Sequence, residues 1–159
     1  MNRILKILAD NARLSDKQIA AMAGVSEAEA KRAIAEFEQQ GIIKGYKAIF
    51  SHEKAGDDVV TALIELKVTP KRDTGFDEVA ETVMAFDEVE SVYLMSGVYD
   101  LAVLINGKTF QEIAMFVARR LSTIDGVVST STHFILRRYK DNGLVLVDHD
   151  QDERRNTLL

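Results

Sequence analysis

The chain has 159 residues, 47% of them apolar, and a formal net charge of -5, enough for one medium domain or two small ones with real cores. It has no Cys, which excludes disulfides and thiolate metal sites, and no apolar run near the ~18 residues of a membrane span. The acidic balance argues against a simple basic nucleic-acid binder, but residues 1–50 hold 8 Lys and Arg against 6 Asp and Glu, whereas residues 51–159 hold 12 against 19.

Asn2, Arg3, Lys6 and Asp10 interrupt the start, against a secretory signal, and a cytoplasmic protein is the expectation. Ile4, Leu5, Ile7 and Leu8 supply the apolar side of a first helix ending near Asn11. Two helix starts follow, Ser15-Asp16-Lys17-Gln18 and Ser26-Glu27-Ala28-Glu29. Each has the spacing in which a Ser hydroxyl caps a backbone N–H and a Gln or Glu three residues on reaches back. Gly24 between them suits a sharp turn of positive φ. Helices over about 16–23 and 26–40 result, the second burying Ala30, Ile34 and Phe37. Ile42 to Phe50 reads as extended, with Gly45 allowing a bend into a β hairpin. Residues 1–50 are therefore expected to be a winged helix-turn-helix, whose second helix commonly enters a DNA major groove.

Residues 51–58, with Gly56 and four charges, read as a hinge. From Val59 the pattern alternates through Val60, Ala62, Ile64, Leu66 and Val68, and Pro70 ends that strand. Phe76, Val79, Ala80 and Val83 have helical spacing. Val89–Met95 and Tyr99–Ile105 are expected strands around a Gly97 turn. Phe110 to Leu121 is a second amphipathic helix, and Asp125-Gly126 turns into a long strand, Val127–Tyr139. Asn142-Gly143 offers a turn into a short strand, Leu144–Val147, before a charged tail over 148–159. The order over 59–147 is βαββαβ, so the fold class is α+β with a ferredoxin-like antiparallel sheet and both helices on one face. Val59, Leu63, Tyr93, Leu101 or Leu104, and Ile135 are expected on the helix-free face. An apolar open face needs a cover, and a second copy is the economical one, giving a homodimer through the C-terminal sheet.

Two residue sets now carry a resemblance. One is Asn11-Ala12-Arg13-x-Ser15, Ala23-Gly24-Val25-Ser26, Arg32 and Gly41-Ile42-Ile43-x-Gly45-Tyr46; the other is Gly97-Val98-Tyr99-Asp100, Gly126-Val127 and Thr130-x-Thr132. Together they resemble the leucine-responsive regulator/AsnC family of bacterial and archaeal transcription regulators, over residues 1 to about 140. The resemblance implies a DNA-binding head, a ligand-sensing ferredoxin-like domain, dimers and often rings of dimers. It also implies amino acids or related metabolites as effectors.

Ser26, Glu27, Ala28, Lys31 and Arg32 occupy the outward N-terminal part of the second helix of the pair. Lys31 and Arg32 are the donors suited to phosphate or guanine, with Arg13, Lys44 and Lys47 adding phosphate contacts on double-stranded DNA. Glu27, Glu29, Glu36 and Glu38 make this helix more acidic than the family's usual pattern, and acidic groups near phosphates cost affinity. Weak binding per dimer, strengthened by multivalent assembly, is the expectation; a helix-turn-helix serving only as a packing module is the competing one.

In the second domain, backbone N–H groups at Gly97 would suit a carboxylate, and Asp100 an ammonium group. The resemblance carries Gly97, Val98, Tyr99, Asp100, Thr130 and Thr132 onto an effector pocket at the contact between dimers. An ordinary hairpin turn without ligand is the alternative. His52, His133 and His149 have no metal-ligand spacing, and neither a metal nor a cofactor is expected. Asp148, Asp150, Asp152 and Glu153 lack the glycine and spacing of a calcium loop. An enzyme of the same two-domain layout, a sirohaem decarboxylase, would have to use His133, Arg137 and Arg138.

Overall fold

The computed structural model describes residues 2–72 and 75–147. The chain forms two compact units, Met1–Ala48 and Ile49–Leu159. The tail over 148–159, with His149 and its acidic cluster, lies outside the described residues.

The first unit contains α1 (Arg3–Asp10), α2 (Asp16–Ala23) and α3 (Glu27–Gln39). Asn2 caps α1 by accepting from the Ile4 N–H at 2.8 Å. Both expected capping boxes are closed, Ser15 with Gln18 and Ser26 with Glu29. The α2–α3 turn runs through Gly24 at φ 76°, a left-handed conformation that costs a side-chain-bearing residue energy. Ile4, Ile7, Ile19, Ala20 and Ala30 form the buried core, flanked by Leu8, Leu14, Ala23, Ala33, Ile34 and Phe37.

The hairpin expected over Ile42 to Phe50 is not formed: residues 44–50 belong to no strand. The reason lies at the end of α3. Gly41, at φ 66°, reverses the chain so that its N–H reaches the Glu38 carbonyl, and the Ile42 and Ile43 N–H groups both reach the Phe37 carbonyl at 2.8 and 3.1 Å. This Schellman-type closure uses the donors that a first hairpin arm would need.

The second unit opens with a one-turn helix, α4 (His52–Ala55), capped by Ser51, inside the segment read as a hinge. Then come β1 (Val60–Val68), α5 (Asp77–Met84), β2 (Val89–Leu94), β3 (Leu101–Gly107), α6 (Phe110–Phe116), β4 (Val127–Ile135), β5 (Lys140–Asp141) and β6 (Leu144–Val145). The main sheet has the order β2-β3-β1-β4, all antiparallel. This is the ferredoxin-like split βαβ arrangement.

Three spans differ from expectation. The helix expected over Phe110–Leu121 is α-helical only to Phe116 and continues as a π turn, Val117–Leu121, closed by the Ser122 N–H on the Val117 carbonyl at 2.9 Å. The last long strand stops at Ile135 rather than Tyr139, because the chain then turns into the small β5–β6 hairpin. The third strand begins at Leu101 because Asp100 is still closing the preceding turn, its carbonyl accepting from the Met95 N–H at 2.8 Å.

The core lies between the sheet and the two helices: Ala62, Ile64, Leu66, Val68, Leu101, Val103 and Ile105 face Val79, Val83, Ile113, Phe116, Val117 and Leu121. Register decides between the two leucines of β3. Leu101 pairs with Leu66 and shares its buried side, whereas Leu104 pairs with Leu63. The helix-free face therefore carries Leu63, Leu104, Tyr93 and Ile135, with Leu101 excluded.

Candidate functional site

In the first unit the outward side of α3 is set by its buried side. With Ala30, Ile34 and Phe37 inward, about 100° per residue places Ala28, Arg32, Ala35 and Gln39 on the opposite row, with Lys31 bordering it. Arg13, Ser26, Glu27, Ala28, Lys31, Arg32, Lys44 and Lys47 are all exposed. The outward row of α3 is therefore made of small, polar and cationic side chains, on the kind of element that a major groove admits.

Three of the four glutamates on α3 already have partners. Glu29 accepts from the Ser26 N–H at 2.9 Å and its hydroxyl at 2.7 Å, and these bonds hold its carboxyl below the usual glutamate range, helped by Arg32. Glu38 accepts the Tyr46 hydroxyl at 2.9 Å. Desolvation first, then this bond, raises the Tyr46 phenol above its ordinary value. Glu36 lies 3.9 Å from the Arg32 guanidinium, an exposed i,i+4 pair of small energetic weight. Glu27 has no such partner among the described residues. The Arg13 N–H is tied to the Asn11 side chain at 3.0 Å, which shapes the turn before α2. A Cβ built on Gly41 would meet the Lys44 ammonium at 2.9 Å, so this cation folds back over the C-terminal end of α3.

In the second unit, Gly97 to Asp100 join β2 to β3. Gly97 has no positive φ, and a Cβ there would meet nothing within 4 Å, so neither strain nor crowding within this chain demands a glycine. Val98 is 81% exposed. Asp100 is engaged: its carboxylate accepts the Val68 N–H at 2.8 Å and the Lys67 ammonium at 3.2 Å, while its own N–H donates to the Leu66 carbonyl at 2.9 Å. The Val68 N–H chiefly, then Lys67, holds the Asp100 carboxyl below the usual aspartate range. The β1–β4 register shifts between Lys67 and Val68, and the β1–β3 ladder ends at Leu66. The Asp100 carboxylate thus replaces the missing ladder partner of Val68, a role that local sequence does not signal.

Thr130 and Thr132 sit on β4 opposite Leu66 and Ile64, half-buried on the helix side. Leu66 separates Thr130 from Leu101, a gap of two strand spacings or about 10 Å. Within one chain, then, Gly97 to Asp100 and the two threonines are not brought into one pocket. His133 faces the other side, 2.9 Å from Glu65 and 3.2 Å from Ser131. Arg138 is bound up in a polar network that the sequence did not reveal. Its guanidinium donates to the Thr61 hydroxyl at 3.0 Å and lies 3.8 Å from Glu90 and 3.6 Å from Asp141. Asn106 links Thr61 and Glu90 at 2.8 and 3.0 Å. Arg137 lies over the Tyr139 ring.

A capped, exposed recognition helix followed by a split βαβ domain defines a two-domain helix-turn-helix regulator. Residues 2–44 match the model of winged helix-turn-helix DNA-binding domains, and residues 61–145 match that of the Lrp/AsnC ligand binding domain. The uncharacterized HTH-type transcriptional regulator YugG of Bacillus subtilis is 51% identical, over 95% of this chain and 92% of its own length. The structure of AsnC from E. coli is 25% identical with a TM-score of 0.65, covering 86% of this chain and 90% of that one. The structure of regulator NMB0573 from Neisseria meningitidis, a complex with L-Met, shares the fold at 24% identity and a TM-score of 0.70, covering 87% and 89%. The chain belongs to the Lrp/AsnC family. It is a DNA-binding transcriptional regulator and not an enzyme, which removes the decarboxylase alternative built on His133, Arg137 and Arg138. Among the described residues no helix is long and apolar enough to cross a membrane.

Proposed function

We propose that this regulator is cytoplasmic, reads specific double-stranded DNA sites through α3 and responds to an amino acid or related small metabolite bound at its second unit. The observation that carries the DNA-reading half is the outward row of α3. Its start is fixed by the Ser26–Glu29 box, its outermost positions are Ala28, Arg32 and Ala35, and two of its glutamates are turned to Ser26 and Tyr46. Arg32 and Lys31 contact base edges or phosphate. Ser26, Glu27 and Ala28 lie beside the bases, and Arg13, Lys44 and Lys47 hold the backbone. A cytosine amino group is the partner suited to Glu27.

The sensing half rests on the matched ligand-binding domain and on the methionine complex of NMB0573, a protein of the same fold. The proposed pocket brings Gly97, Val98, Tyr99 and Asp100 of one copy toward Thr130 and Thr132 of another, since one chain keeps them apart. Chains pair through the helix-free face around Leu63, Leu104 and Tyr93, and dimers assemble further. A ligand bound between copies favours one assembly and so changes how the heads are presented to DNA.

The test is fluorescence anisotropy on DNA from the chain's own promoter region across a salt series, with and without L-methionine. Salt-sensitive binding that beats random DNA of equal length, and that L-methionine or another amino acid shifts, is expected. Binding indifferent to sequence would sink the specific-reading half. Calorimetry silent against all twenty amino acids would sink their role as effectors.

A further inference from the structure

The chain that follows α3 is held in place without a ladder. Residues 44–50 belong to no strand, and among the described residues no backbone hydrogen bond joins residues 44–48 to the rest of the first unit. Two side chains do the fastening. The Lys44 ammonium folds back beside Gly41, at the C-terminal end of α3. The Tyr46 hydroxyl donates to the Glu38 carboxylate at 2.9 Å, and among the described residues this is the one hydrogen bond that residues 44–48 make.

That bond lands on a particular side of the helix. At about 100° per residue, Lys31 and Glu38 fall on one flank of the outward row of α3, about two turns apart, and Glu29 and Glu36 fall on the other. The second flank is acidic. On the first, the Tyr46 hydroxyl occupies the Glu38 carboxylate and brings the chain that carries Lys44 and Lys47 alongside. Lys31, Lys44 and Lys47 are all exposed, and none has a carboxylate within ion-pair distance among the described residues. One flank of α3 thus gathers three uncommitted cations, the grouping that meets a phosphate backbone. Cations placed in advance also lose less conformational entropy on binding than cations on a free segment.

We propose that Tyr46 is a positioning residue for DNA reading: its hydroxyl, through Glu38, holds Lys44 and Lys47 on the Lys31 flank of α3, where they meet phosphates. This rests on the reading of α3 as the DNA-contacting helix. Tyr46 itself touches no DNA and acts through the two lysines.

Tyr46→Phe removes the hydroxyl and keeps the ring. Trypsin cleavage of the full folded chain after Lys44 and Lys47 should become several-fold faster, with the helical signal unchanged. Glu38→Ala should reproduce this, and adding Tyr46→Phe to it should change nothing further. Glu38→Gln keeps an acceptor for the hydroxyl and should keep cleavage slow. In anisotropy titrations over a salt series, Tyr46→Phe should weaken DNA binding about three- to tenfold and make the slope of log K against log salt shallower by about one to two, at ~0.9 per lost phosphate contact. A purely structural role would leave that slope at its original value. Unchanged cleavage overturns the tie, and faster cleavage with an unchanged slope overturns the positioning role. If the unmodified chain binds no DNA, the reading of α3 falls and the positioning role with it. A Tyr46→Phe protein that matches a DNA-binding parent in slope and affinity sinks the positioning role alone.

Discussion

Among the described residues, the core of the first unit has five buried apolar side chains, two of them alanines, whereas that of the second has thirteen, drawn from strands and helices far apart in sequence. A core that small leaves much of the definition to local devices. Ser15 and Ser26 start the helices, Gly24 and Gly41 reverse the chain, and each acts within a few residues of itself. In the second unit almost nothing is local. Leu66 is fixed by Leu101 on one strand and Thr130 on another, and Asp100 finishes a strand that ended 32 residues earlier. The proposed reading helix is thus aimed by short-range chemistry, while the proposed sensing surface takes its geometry from long-range register.

The sharpest way to break this contrast is a core truncation. Leu66→Ala should cost about 2–5 kcal/mol in urea unfolding of the second unit, leaving the α1–α3 helical signal at its original midpoint. Loss of both in one step would show that the units do not separate energetically. Next, Arg32→Ala should weaken operator binding by about 1–3 kcal/mol in anisotropy titrations and relax discrimination, with folding unchanged. A uniform loss on all sequences would make Arg32 a phosphate contact. Ser26→Ala should then cost about 0.5–2 kcal/mol of first-unit stability, measured by thermal unfolding. The smallest effect belongs to Asp100. Its carboxyl is held below the ordinary value near 3.9, so its contribution is complete at neutral pH and disappears as pH falls through that range. Asp100→Asn should lower stability at neutral pH and flatten this acid dependence. An unchanged acid limb would assign that dependence to other carboxylates.

What could be read from the sequence follows the same division. The capping boxes and the αL glycine were legible because their partners sit three or four residues away. The six-element order of the second unit was legible from periodicity. Leu101 and Leu104 were not separable, since alternation assigns them opposite faces without saying which is inside; only pairing with Leu66 decides. Gly97 reads from sequence as a turn whose backbone N–H groups suit a carboxylate, and in the single chain neither a positive φ nor a close neighbour requires a glycine there. The expected hairpin over Ile42 to Phe50 had the right residues, but the N–H groups of Ile42 and Ile43 were taken by Phe37. The role of Asp100, and the tie from Arg138 to Thr61, Glu90 and Asp141, depend on strands that sequence alone cannot align.

That Arg138 tie also bears on how the molecule opens. One guanidinium reaches β1 through Thr61, β2 through Glu90 and the β5–β6 hairpin through Asp141. A two-residue ladder would ordinarily breathe on its own, far faster than the sheet. Fastened to strands on both sides of β3, this hairpin joins the cooperative unit of the sheet, and its transient openings become those of the domain.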